Sequence, residues 1–173
     1  MDSFKDPEPS KNSQEQDDPF NEEQEPLLMG QAYYGLKSLG YLIDSPMTVS
    51  IVGSNSGIMG KLEVNVIPVD EDGESEVPDE KIPDAPEELE GNRIDFIIEI
   101  KRAFDLKEDF CKDVFCEYNF YLDDQKYSTV VVPGKCQTPE FSFRQLHTIE
   151  ACSSNFIQHM MKDSVRPLLN QVL

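Results

Sequence analysis

The chain has 173 residues, 38% of them hydrophobic and 28% charged, with a formal net charge of −19. That length holds one ordinary domain or two small modules, and the strong negative charge argues against nucleic acid and anionic membranes as general partners. The acidity sits mainly in two segments, nine acids and two bases in residues 1–25 and eleven acids and one base in residues 70–90, so it marks tails or linkers rather than a globular surface.

Residues 1–26 combine acids, Pro, Asn, Gln and Ser with almost nothing apolar except Phe4 and Phe20. Such a segment buries too little surface to offset its conformational entropy and is expected to be disordered. Its opening, MDSFKDPEPS, lacks the basic-then-apolar start of a signal peptide. No run approaches the ~18 apolar residues of a membrane span. A cytosolic protein with free thiols at Cys111, Cys116, Cys136 and Cys152 is the expectation.

Order is expected from about Leu27. The run LLMGQAYYGLKSLGYLI, with Gly30, Gly35 and Gly40, reads as strands and turns. Met47 to Val52 and Lys61 to Val69 read as two strands joined by a Gly-Ser-Asn loop. Leu62, Val64 and Val66 share one face of the second. These elements form an expected small β module over 27–69. Residues 70–92, with Pro78, Pro83 and Pro86 among repelling carboxylates, suit an extended acidic linker.

A second module is expected over 93–163. IDFIIEIKRAF alternates as a strand, and VFCEYNFYL and KYSTVVV form a hairpin around Asp123-Asp124-Gln125. Pro133-Gly134 is expected to break the latter strand, and EFSFRQL to form another. Ser153 or Ser154 can cap a short helix in which Phe156 and Met160 share a face. The fold expected is mainly β, with residues 164–173 as a divergent end.

The order of motifs resembles the tail region that follows the forkhead-associated domain and coiled coils of kinesin-3 motors. Asp18-Pro19-Phe20, Gly30-Gln31-Ala32, Leu39-Gly40-Tyr41-Leu42 and Gly60-Lys61-Leu62 carry the resemblance in the first module. Val114-Phe115-Cys116-Glu117-Tyr118-Asn119-Phe120 and the Ser153 to Met160 helix carry it in the second, which is similar to a C2-like segment. The ending SVRPLLNQVL departs from that pattern, in which a further strand follows the helix; the C2-like sandwich is therefore expected to be incomplete. The resemblance implies a cytoplasmic, cytoskeleton-associated tail that binds cargo adaptors or its own motor domain. It implies microtubule contact only through a parent motor, and dimerisation through a parent coiled coil.

No GxxxxGK[ST] sequence is present, so ATP and Mg2+ would belong to a parent motor domain and no catalytic role is expected here. Asp105, Asp109 and Asp113 occupy a C2-like calcium-loop position, but half a ligand set reads better as a solvated loop. The four cysteines with His147 and His159 contain no CxxC, so buried or incidental thiols are the expectation over zinc. The rival reading is a free-standing C2-like or trafficking protein. Asp18, Pro19 and Phe20 have the form of an appendage-binding peptide, and Glu23 with Leu27 and Leu28 that of an acidic dileucine signal. Such peptides insert Phe or paired Leu into small apolar pockets. The competing reading is that Phe20, Leu27 and Leu28 are the first residues to pack on the fold.

Overall fold

The computed structural model describes residues 26–171. In chain order the strands are β1 (Leu27–Gln31), β2 (Tyr34–Gly35), β3 (Met47–Val52), β4 (Ile58–Val69), β5 (Ile94–Phe104), β6 (Lys112–Asn119), β7 (Lys126–Ser128), β8 (Val132–Lys135) and β9 (Glu140–Ile149). Helix α1 (Ser154–Lys162), β10 (Ser164–Val165) and β11 (Leu168–Gln171) follow. Nine strands form one antiparallel sheet in the order β7-β6-β11-β1-β3-β4-β5-β9, with β8 also paired to β6, and β2 and β10 make a separate pair.

The long central strands follow from their composition. In β4 the side chains of Leu62, Val64 and Val66 are buried on one face, as the period-2 pattern requires. β5 is apolar at seven of its eleven positions and buried on both faces over Ile94–Ile98. β4 and β5 pair from Lys61 opposite Phe104 to Val69 opposite Asp95, with a bulge after Glu63. Because these strands flank residues 70–92, the first and second sequence modules share one sheet and one apolar core. The acidic stretch between them makes two single-turn 3-10 helices, Asp79–Lys81 and Pro86–Leu89, and buries Pro83, Pro86 and Leu89. Pro86–Leu89 packs on α1 and the turn at Lys37–Tyr41, while the carboxylates of the stretch face water.

The sheet curls until β6 and β7 meet β9, giving a nearly closed barrel. At that seam the Tyr118 hydroxyl lies 2.9 Å from His147 Nε2. Tyr127 meets the His147 ring edge-on at 4.8 Å, and Phe143 meets Tyr118 edge-on at 6.3 Å. Helix α1 begins at the expected cap, where the Ser153 hydroxyl accepts from Phe156 N at 3.2 Å, satisfying one of the helix's open donors. Phe156 and Met160 share the buried face.

The C-terminal part corrects an expectation. A strand does follow the helix: β11 lies between β1 and β6, antiparallel to both. Pro133-Gly134, expected as a break, lies within β8. β8 pairs with β6 only through Lys135 and Val132, and a proline fits such an edge strand because no ladder donor is needed there.

Two glycines of the motifs above are fixed by close approach. A Cβ on Gly30 would lie 2.8 Å from Ile51 Cγ2 and 2.9 Å from the Val52 carbonyl oxygen. One on Gly60 would lie 2.6 Å from Leu106 Cδ2 and 2.9 Å from the Phe104 oxygen. Gly35 has open space around it. Gly30→Ala and Gly60→Ala should each lower unfolding free energy by about 1–3 kcal/mol, whereas Gly35→Ala changes it little. Urea denaturation of the three variants measures this, and equal midpoints would refute the packing argument.

Candidate interaction surface

The first surface lies on the outside of β1, β11 and β6. Leu28 on this face is 48% exposed, although its backbone pairs with Asn170, while Leu27, on the opposite row across from Gln171, is 43% exposed at the start of the strand. Across the sheet, Leu28 faces Asn170, which in turn faces half-buried Phe115. Asn170 is 3% exposed, and its Nδ2 has no hydrogen-bond partner among the described residues. Val130 and Val131, in the segment leading into β8, add exposed apolar area. Beside β1, a groove of about 260 Å³ runs between Leu28–Gln31 and Val52–Ser54.

The second surface is a cleft of about 410 Å³ between the acidic stretch and the starts of β5 and of the stretch itself. Leu42, Val69, Val77, Ile82 and Leu89 supply its apolar walls. The Arg93 guanidinium donates to both oxygens of Asp95 at 2.8 and 3.0 Å, and the Thr148 hydroxyl donates to the same carboxylate. Arg93 and Thr148 together hold the buried Asp95 carboxyl below the usual range against the opposing effect of burial. Lys81 donates to Asp70 at 2.5 Å and lies 3.6 Å from Glu71. Its ammonium lowers the Asp70 pKa. Nearby, the Ser75 hydroxyl and the Ser75 and Glu74 amides pull Asp72 down to about 2. Both bases of the cleft are thus engaged by acids, and Glu80 and Glu88 remain on its wall. An apolar cleft with surplus carboxylate is suited to a Lys or Arg flanked by apolar side chains.

The residues singled out from sequence are distributed as follows. Asp18, Pro19 and Phe20 lie outside the described residues. Leu27 and Leu28 sit on a strand whose main chain is already paired, so they are not a free extended peptide, and as neighbours they point to opposite faces, Leu28 into the row of Asn170 and Phe115 and Leu27 into the row of Gln171 and Val114. Asp105 lies 3.7 Å from Lys61 Nζ, and Asp113 accepts from Gly134 N at 2.6 Å. Asp109 sits on the 3-10 turn Glu108–Phe110. These aspartates do not converge, and the described residues contain no group of three or more His, Cys, Asp or Glu able to hold a metal. Cys111, Cys116 and Cys152 are buried and Cys136 is half-buried, all four as free thiols. Burial pushes the Cys116 thiol far up and Cys152 up to about 11, which suppresses thiolate chemistry.

The sequence reading missed the surroundings of His147. Its ring stacks on Phe96 at 5.5 Å and lies 4.8 Å from Phe120. Burial lowers its pKa to about 4. A signal was present: extending the β9 alternation by two steps beyond Phe141 and Phe143 puts Gln145 and His147 on the same inward row.

Compared with known proteins, the chain is similar to the human kinesin-like protein KIF13B, 30% identical over 120 residues. The matched part covers 67% of this chain and 6% of that protein, so the chain spans a small fraction of the relative's length. No family model matches the chain. Among the described residues no helix is long and apolar enough to cross a membrane.

Proposed function

We propose that this chain is a non-catalytic interaction module of a kinesin-3-like motor tail, which binds cargo adaptors or folds back on the motor domain. The observation that carries the reading is the 120-residue similarity to a small section of a kinesin-like protein. Nucleotide chemistry would belong to a separate motor domain, since no P-loop sequence occurs here. Work at this site is recognition, and the acidic cleft and the outer β1-β11-β6 face are the surfaces suited to it. The setting is the cytoplasm, on the cytoskeleton.

The test uses a purified kinesin-3 motor. Added in trans, the full chain should lower microtubule-stimulated ATPase or displace the motor from vesicles, at micromolar concentration. A chain that changes neither quantity would sink the proposal. The Asp18-Pro19-Phe20 sequence, which has the form of an appendage-binding peptide, favours a second reading, adaptor binding in membrane trafficking. That reading requires binding to a clathrin-adaptor appendage or core, and its loss when Phe20 or the Leu27-Leu28 pair is changed to Ala.

A further inference from the structure

Where the end of β6, the last turns of α1 and the β10–β11 connection meet, Asn119, Tyr121, His159, Val165, Arg166 and Leu168 line a pocket of about 210 Å³. We propose that this pocket binds a phosphoryl group carried on a partner peptide. Drug-sized ligands occupy pockets of ~300–1,000 Å³, so this volume suits one side-chain-sized group.

Charge is the first argument. Arg93, Arg102 and Arg144 each lie within 4 Å of a carboxylate. Arg166, exposed at the pocket, makes no ion pair among the described residues, although the chain carries a net charge of −19. In so acidic a protein, an arginine without a carboxylate is the exception. Its planar fork of donors matches phosphate oxygens in pairs.

Geometry supplies the second argument. His159 Nδ1 lies 3.0 Å from Asp163 Oδ2. The carboxylate can only accept, so Nδ1 carries the proton and the ring orientation is fixed. Nε2 is then left to accept the P–OH of a phosphate monoanion. Asn119 gives one amide N–H to the Gln125 carbonyl at 3.1 Å and keeps the other. Tyr121 holds a left-handed backbone, φ 50°, that a non-glycine residue rarely adopts. That conformation sets its ring against Phe156 at 5.0 Å and His159 at 4.7 Å, making an aromatic wall. Arg166 and the remaining Asn119 N–H can donate while His159 Nε2 accepts, and a phosphate monoanion offers both oxygens and a P–OH where an ionised carboxylate offers oxygens alone. An anionic bilayer would be repelled by the acidic stretches, which favours a peptide as the carrier.

The proposal stands apart from the tail-module reading. Inhibition of a motor could fail while this pocket still takes phosphate, and the reverse. The first measurement is titration of the isotope-labelled full chain, by NMR, with N-acetyl-phosphoserine methylamide. Saturable shifts of the His159 and Arg166 side-chain signals are expected, absent with the unphosphorylated compound. Arg166→Gln should weaken binding at least tenfold and His159→Gln severalfold, with unchanged melting temperatures, since Arg166 is exposed and His159 is outside the core. Lys112→Gln, remote from the pocket, should leave binding unaltered. Absent shifts, or affinity unchanged in Arg166→Gln, would overturn the site. Sedimentation with phosphatidylcholine vesicles containing phosphatidylinositol 4-phosphate, without any shift by the phosphoserine probe, would overturn the peptide assignment.

Discussion

Lowering the pH from 6.5 towards 4 is expected to remove about 3 kcal/mol of folding stability through His147 alone. The ring is buried at the seam of the barrel, among Phe96, Phe120, Tyr118 and Tyr127. Burial disfavours its imidazolium and brings the folded-state pKa to about 4, from an ordinary value of 6.5. Between these values the unfolded chain binds a proton that the folded chain refuses. The contribution is therefore fully present above 6.5, declines as pH falls, and changes no further below 4. Asp72 and Asp95 are depressed carboxylates, so their contribution is lost only at lower pH, from the ordinary value of 3.8 downward. The two windows barely overlap. Urea titrations at pH 7, 5.5 and 4 measure the effect, and His147→Gln is the control. The amide can still bond the Tyr118 hydroxyl but does not titrate. Stability of that variant should be nearly flat over the same range. An undiminished pH slope in His147→Gln would assign the effect to other groups.

The same residue shows where sequence and structure part. Strands β3 and β5 were legible to the residue, Met47–Val52 and Ile94–Phe104, because their apolar patterns are long and bounded by polar or turn residues. The α1 cap and its Phe156-Met160 face were legible for the same reason, since the signals lie within one turn of each other. Residues 70–92 read as charge, and charge hid the three buried apolar residues, Pro83, Pro86 and Leu89. β8 was hidden by Pro133, whose missing N–H matters only where it would face a paired edge. Of the candidate surfaces, Leu27 and Leu28 could be picked out because they form a local pattern. The inward position of His147 was legible, but its surroundings and those of Arg166 were not, because their neighbours come from distant elements: β5, β6 and β7 around the first, β6 and α1 around the second. Local periodicity places a side chain on a face, while only the long-range register decides what stands opposite.

That limit is sharpest at β11, which carries the largest expected effect. SVRPLLNQVL has no alternation over a useful length, yet Leu168–Gln171 pairs with Leu27–Gln31 on one side and with Val114–Glu117 on the other. Leu169 is 2% exposed and stands opposite Gly30 and Cys116. It belongs to the common core, so Leu169→Ala should cost about 2–5 kcal/mol. Truncation after Lys162 should do more, because it leaves facing edges of β1 and β6 unpaired and opens the core between them. Such a loss exceeds what a domain stable by ~5–15 kcal/mol can bear with a single cooperative transition. The truncated chain should therefore melt without a sharp transition, bind a hydrophobic dye and self-associate through the exposed edges. Circular dichroism melts and light scattering of the two variants beside the full chain measure this. A sharp transition in the truncated protein would mean that β6 pairs with β1 directly, and that β11 is an insertion into the sheet rather than its link.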